Sequence, residues 1–115
     1  MLKSEIEFIR HIYDEVLFII EYTESISDDD FNSNILLKKA TVRALEIIGE
    51  ASNRITDDFK LKYPTIPWKF MKGMRNKLIH EYTGVDYQVV YETCLNDIPN
   101  LKIQLEQIIN EHNNK

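Results

Sequence analysis

Hydrophobic residues recur at steps of three and four positions along most of the chain, which is the spacing that places side chains on one face of an α-helix. The first such run predicts a helix over about residues 3–25 and consists of Ile6, Ile9, Tyr13, Val16 and Ile20. It is followed by "SISDDDFNSN", a stretch rich in residues that compete for backbone hydrogen bonds and favour caps and turns. This stretch predicts a connector with room for one short helical turn.

A second amphipathic helix begins after the connector, with Ser33 or Asn34 as its N-cap. Gly49 lies inside it. Because glycine costs about 1 kcal/mol relative to alanine in a helix interior, its presence predicts close packing against a neighbouring helix. Thr56 is predicted to cap a short helix over residues 57–62, which Pro64 ends. The apolar face of the second helix consists of Leu37, Ala44, Leu45, Ile48, Ala51 and Ile55.

Two more helices are predicted in the second half of the chain. Pro67 suits the first turn of a helix that ends near Tyr82, with Gly84 as its stop signal. Asp86 is predicted to cap a fourth helix over about residues 86–111, and its apolar stripe keeps its phase through Pro99. This continuity predicts one kinked helix rather than two. The stripe consists of Tyr87, Tyr91, Cys94, Ile98, Leu101, Leu105 and Ile108.

These elements together predict an all-α fold, an antiparallel four-helix bundle with a short extra helix between its second and third helices. The 115 residues fit one domain, which we expect over residues 1–112, followed by a polar tail at 113–115. Cys94 lies in the apolar stripe, which predicts a buried structural thiol. As the single cysteine of the sequence, it cannot form an internal disulfide.

Charge is distributed unevenly along the chain. Residues 60–80, here called the basic segment, contain six of the fourteen Lys and Arg residues and no Asp or Glu. The rest of the chain holds eight basic and nineteen acidic residues, so the net charge is −5. An acidic body argues against a protein that coats nucleic acid with its whole surface. A charge run is ordinarily a solvated helix face, but this one contains a motif that favours a functional site.

Several classes of protein are disfavoured by the sequence. The N-terminus lacks the unbroken apolar core of a signal peptide, and no segment has the apolar length of a membrane span. No cluster of Cys and His indicates a metal site. We therefore expect a cytosolic protein that contacts no membrane and uses no metal or cofactor.

The stretch "MRNKLIHEY" places Arg75, Asn76, His80 and Tyr82 within one amphipathic pattern. Around a regular helix, Tyr82 lies about 20° from Arg75, whereas His80 lies about 140° from it. Arg75 and His80 therefore converge only if the last turn distorts or if they meet across a twofold dimer axis. A guanidinium that binds phosphate and an imidazole that transfers protons would suit metal-independent cleavage of RNA by its own 2′-OH. Asn76 adds a neutral donor and acceptor.

The spacing of Arg75, His80 and Tyr82 resembles the R-x4-H-x-Y signature of HEPN-domain toxins of the HepT type. An isolated R-x4-H is not specific, but here the motif lies between a helix containing "LEIIGEA" and a "GVD" turn, which is specific. The resemblance covers most of the chain and includes "RALEIIGEAS" (43–52), "PWKFMKGMRNKLIHEYTGVDYQVVYET" (67–93) and "DIPNLKIQLEQI" (97–108).

This resemblance implies a toxin ribonuclease that acts on RNA as a homodimer, with motif residues of both subunits lining one cleft. It implies that Arg75 binds phosphate and stabilises the transition state, that His80 is the catalytic histidine, and that Asn76 is the polar residue following the arginine. Tyr82 would be the tyrosine that an MntA-type nucleotidyltransferase antitoxin modifies with AMP. Added phosphate beside the cleft would inhibit through charge and steric occlusion. The predicted RNA contacts are the neighbouring lysines Lys69, Lys72 and Lys77.

Structural interpretations of the motif residues stay open beside these roles. Arg75 and Asn76 both suit an exposed helix surface. His80 suits a helix C-terminus, where a cationic imidazole favours the macrodipole, and Tyr82 suits the turn between the third and fourth helices.

Two other groups of residues have alternative interpretations. Trp68, Phe70 and Met71 could form a base-stacking platform, but their spacing equally suits the core, which is the interpretation we favour. Glu46 and Glu50 could form a paired-carboxylate site. With arginines nearby, they are more simply an ion-paired helix face.

Two functional hypotheses follow. The first is the homodimeric toxin ribonuclease. The second is a non-catalytic helical subunit that pairs with a nucleotidyltransferase and positions its substrate. Replacement of His80 separates them, because only the first requires that side chain for RNA cleavage.

Overall fold

The computed structural model describes residues 5–78 and 84–114, and these residues form eight α-helices and no β-strand. The helices confirm the prediction of an all-α fold, and no helix of the described chain is long and apolar enough to span a membrane. Their bounds are α1 Glu5–Thr23, α2 Asp28–Ser33, α3 Ile35–Asn53, α4 Asp57–Lys62, α5 Trp68–Lys72, α6 Met74–Leu78, α7 Tyr87–Asn96 and α8 Ile98–Asn113.

Polar side chains begin several of these helices as predicted. Asn34, one of the two candidates for the cap of α3, accepts a hydrogen bond from the backbone N–H of Leu37 at 3.0 Å. Thr56 and Asp86 cap α4 and α7 in the same way. The predicted connector contains α2, which is capped by Ser27. Each cap satisfies a backbone donor that has no partner within the first turn.

The long helix α1 is antiparallel to both of the helices that it packs against most extensively, α3 and α8. At its start, a Glu5 carboxylate oxygen accepts a hydrogen bond from the N–H of Thr56, just beyond the end of α3, at 2.9 Å. The Arg10 guanidinium donates to the side chain of Asn113, at the end of α8, at 2.7 Å. The start of α1 therefore meets the ends of both partners, as expected of an antiparallel bundle.

The inward faces of the helices form one hydrophobic core, to which the predicted stripe of the last helices contributes. Cys94 lies within it with 2% of its surface exposed, and burial raises the pKa of its thiol to about 12. The prediction of a buried structural thiol is thus confirmed. The fully or nearly fully buried stripe residues are Cys94, Ile98, Leu101, Leu105 and Ile108.

The predicted third helix differs from the structure in two respects. Pro67 precedes α5 as its N-cap instead of lying in its first turn. Gly73 then separates α5 from α6, with φ −87° and ψ 3°, because a residue without a β-carbon holds the helical backbone weakly. The predicted end near Tyr82 lies outside the described residues. Gly84 has a φ of 101°, the left-handed region that favours glycine.

The predicted fourth helix is divided into α7 and α8, so the prediction of one kinked helix was wrong. Pro99 has no N–H to donate to the carbonyl of Leu95, and the helix is interrupted at Asp97. The Asp97 N–H still donates to the carbonyl of Thr93, and its carbonyl accepts from the N–H of Leu101. The backbone turn is therefore preserved, which explains why the apolar stripe keeps its phase.

Candidate functional site

The basic segment folds into the last turn of α4, the loop after it, and the short helices α5 and α6. Arg75 belongs to α6, whose Met74 and Leu78 are buried in the core and fix the position of the helix. The side chain of Arg75 and the residues His80 and Tyr82 lie outside the part of the chain that the structure describes. The convergence of Arg75 with His80 therefore stays a prediction.

A groove of about 490 Å³, here called the α3–α5 groove, lies between α3 and the α5–α6 pair. Each side contributes residues at positions i, i+3, i+4 and i+7, which is one face of a helix. Three predicted site residues, Lys69, Lys72 and Asn76, are brought together on one wall. The lining residues are Glu46, Gly49, Glu50 and Asn53 from α3, and Lys69, Lys72, Gly73 and Asn76 from the opposite side.

Gly49 allows the two walls of this groove to approach each other. A β-carbon at this position would lie 3.1 Å from the carbonyl oxygen of Met71 in α5, which is tighter than ordinary van der Waals contact. At Gly73 the corresponding distance is 3.4 Å, to the carbonyl oxygen of Lys69 in the preceding turn. The predicted close packing at Gly49 is confirmed, and it brings the lysines of α5 towards α3.

The α3 wall carries two carboxylates that are ion-paired with Arg43. Its Nη1 lies 3.3 Å from an oxygen of Glu50 and 3.8 Å from an oxygen of Glu46. The interpretation of an ion-paired helix face is confirmed. The same carboxylates and Asn53 nevertheless line the α3–α5 groove, which the sequence interpretation missed. Their spacing around Gly49 was the available signal, since residues on one face with a closely packed glycine face the same neighbour.

The structure does not place Lys77 in this groove. Its Nζ lies 4.5 Å from the centre of the Phe70 ring, a cation–π contact on another side of the segment. The neighbouring aromatic residues belong to the core as predicted: Met71 is fully buried, and half-buried Trp68 donates through Nε1 to the carbonyl of Tyr63 at 2.9 Å.

The chemistry of the α3–α5 groove differs from wall to wall. The lysines of α5 supply positive charges of the kind that hold phosphate groups. Carboxylate and amide groups on the α3 wall accept hydrogen bonds of the kind that base edges donate. Within residues 5–78 and 84–114, no cluster of three or more His, Cys, Asp and Glu side chains is arranged to hold a metal ion.

Comparison with known proteins connects this arrangement to a family. The model of the family described as "Ribonuclease HepT-like" matches residues 12–108. A protein named "Probable ribonuclease HepT", from Thermococcus cleftensis, is 44% identical over 108 residues, which covers 94% of this chain and 98% of that protein.

Two further relatives have similar names and coverage. A protein of Caldanaerobacter subterraneus subsp. tengcongensis, named "Putative RNase", is 44% identical over 108 residues, covering 94% of this chain and 96% of that protein. One of Methanocaldococcus jannaschii with the same description is 41% identical over 107 residues, covering 92% and 98%. No solved structure gives a significant match.

Proposed function

Because the chain belongs to the HepT-like ribonuclease family, we propose that it is an endoribonuclease that cleaves RNA without a metal ion. The observation that carries this proposal is the α3–α5 groove, where Lys69, Lys72 and Asn76 share one wall. That wall belongs to the helices that precede and contain Arg75. RNA bound along it would have its phosphates beside the motif.

The proposed reaction is an attack by the substrate's own 2′-OH on the adjacent phosphorus. The 2′ oxygen bonds to phosphorus as the bond to the 5′ oxygen breaks, which leaves a 2′,3′-cyclic phosphate and a 5′-hydroxyl. His80 takes the proton of the attacking hydroxyl or returns one to the leaving oxygen. Arg75 binds the phosphate and its developing charge, and Asn76 orients it. In a homodimer, both copies of the motif would supply these groups to one cleft.

We further propose that the protein is the toxin of a toxin–antitoxin pair acting in the cytoplasm. Tyr82 follows His80 by two residues, so AMP attached to its hydroxyl by an MntA-type nucleotidyltransferase would place negative charge next to the lysine wall. That charge would repel the RNA backbone and switch the enzyme off.

One observation favours the alternative of a non-catalytic subunit that pairs with a nucleotidyltransferase. Glu46 and Glu50 line the same groove as the lysines, and carboxylates repel phosphate. A groove of mixed charge also suits a contact with another protein.

Cleavage of total cellular RNA in EDTA tests the proposal, with wild type beside His80→Ala. His112→Ala serves as the matched control, because His112 is exposed in the last turn of α8. We expect wild type and the control to leave 2′,3′-cyclic phosphate ends, and His80→Ala to lose the activity.

Two results would contradict it. Equal cleavage by His80→Ala would remove the histidine from the reaction. The absence of cleavage by wild-type protein, shown by mass to be unmodified at Tyr82, would support the non-catalytic subunit instead.

A further inference from the structure

The N-terminal third of the molecule combines acidic charge with exposed apolar side chains. Residues 11–37 contain seven Asp and Glu residues and no Lys or Arg. Among the described residues, seven large hydrophobic side chains are exposed, and four of them lie in this stretch. Leu36 is the most exposed, at 80%. The four are Leu17, Tyr22, Ile35 and Leu36.

These side chains border a second groove, of about 290 Å³, here called the α1–α3 groove. The rings of Phe18 and Tyr22 lie 5.1 Å apart on its α1 side. The positions three or four residues from Phe18, which neighbour it on the helix surface, include Asp14, Glu15 and Glu21. The groove therefore has an apolar floor and an acidic rim. Its lining residues are Phe18, Tyr22, Asn34, Leu36, Leu37 and Ala40.

The basic segment presents a complementary feature. Leu61, in the last turn of α4, is 77% exposed and stands between Lys60 and Lys62. An exposed leucine flanked by two lysines matches an apolar groove with an acidic rim in both shape and charge.

Leu61 cannot enter the α1–α3 groove of its own chain. The residue that caps α4, Thr56, is bonded to Glu5 at the start of α1, whereas Phe18 and Tyr22 lie in the C-terminal half of that helix. Because α1 has 19 residues and a helix rises about 1.5 Å per residue, Leu61 and the groove are at opposite ends of the bundle. The matching surface must therefore come from another molecule.

We propose that copies of this chain associate head to tail, with Leu61 of one copy inserted into the α1–α3 groove of the next. Lys60 and Lys62 then lie against the carboxylates of the rim. Such a contact joins two different surfaces, and so it can continue from copy to copy, unlike a twofold dimer contact. Its area is smaller than that of a stable interface. We therefore expect weak association that added salt reduces further.

Sedimentation equilibrium of the full chain tests this inference. The wild-type mass should rise with concentration up to about 1 mM and rise less at high salt. Leu36→Lys and Leu61→Asp should each abolish the rise. Ile103→Lys is the matched control, because Ile103 is 54% exposed on α8, away from both surfaces, and it should associate as wild type does.

Mixing the two variants gives the decisive result. Leu36→Lys keeps an intact Leu61, and Leu61→Asp keeps an intact groove, so an equal mixture should regain association that neither variant shows alone. A wild-type mass independent of concentration, normal association of Leu61→Asp, or a mixture that stays unassociated would each overturn the proposal. Leu36→Ser and Leu61→Ser replace any variant whose circular dichroism shows loss of helix. The test does not depend on ribonuclease activity.

Discussion

Two threonines buried in the core differ in how their hydroxyl groups are satisfied. The Thr23 hydroxyl donates to the carbonyl oxygen of Ile19 at 2.6 Å. The hydroxyl of Thr41, which is equally buried in α3, has no hydrogen-bond partner. A buried hydroxyl without a partner costs free energy, because it has given up its bonds to water without replacing them. Thr41 is therefore a residue at which the native sequence is not the most stable one.

We expect Thr41→Val to raise the free energy of unfolding by about 1 kcal/mol, since valine has nearly the same shape and no unsatisfied hydroxyl. Thr23→Val is the matched control, and it should lower the free energy of unfolding by a similar amount through loss of its hydrogen bond. Urea denaturation followed by circular dichroism measures both. A destabilising Thr41→Val would show that its hydroxyl has a partner in solution.

At the scale of the elements, the sequence predicted features whose causes are local. The caps Asn34, Thr56 and Asp86 were predictable because each bonds within its own first turn. The interruptions at Gly73 and Asp97 were not, because the apolar periodicity continues across both. The carboxylate wall of the α3–α5 groove was missed for a different reason: which face of α3 meets α5 is decided by tertiary packing and not by spacing along the chain.

The contact between α3 and α5 should be sensitive to any side chain at Gly49. Gly49→Val should lower the free energy of unfolding by about 1–3 kcal/mol, because its side chain would meet the carbonyl oxygen of Met71 in a closely packed region.

Gly73→Ala provides the comparison. A β-carbon there makes only an ordinary contact and the backbone has a negative φ, so its unfolding free energy should change little. Thermal unfolding of both variants separates a packing effect from a general intolerance of glycine replacement. Equal stability of Gly49→Val and wild type would contradict the close approach.

At the scale of the whole molecule, charge is separated along the sequence: residues 11–37 have no Lys or Arg, and the basic segment has no Asp or Glu. A molecule of net charge −5 that binds RNA must do so through a restricted surface, because its other faces repel the phosphate backbone. The lysines of α5 are the part of that surface which lines the α3–α5 groove.

Removing two of these charges should weaken RNA binding in a salt-dependent way. In a His80→Ala background, which prevents cleavage under our proposal, Lys69→Gln/Lys72→Gln should reduce the slope of log affinity against log salt by about 1.4 for single-stranded RNA, or about 0.7 per lost phosphate contact. Lys38→Gln/Lys39→Gln removes the same charge from the start of α3 and should leave the slope unchanged. Fluorescence anisotropy at several salt concentrations makes the comparison. Equal slopes for the two double variants would contradict a role for the lysine wall.

The packing of α8 against α1 also determines when the protein can fold during its synthesis. The core lacks one side until Ile98, Leu101, Leu105 and Ile108 are present, and these residues are among the last that the ribosome adds to the described chain. A nascent chain therefore holds α1 and α3 with their apolar faces partly uncovered until α8 leaves the exit tunnel. For an enzyme that acts on RNA, this order keeps a folded, active copy away from the message that encodes it until translation of that copy is nearly complete.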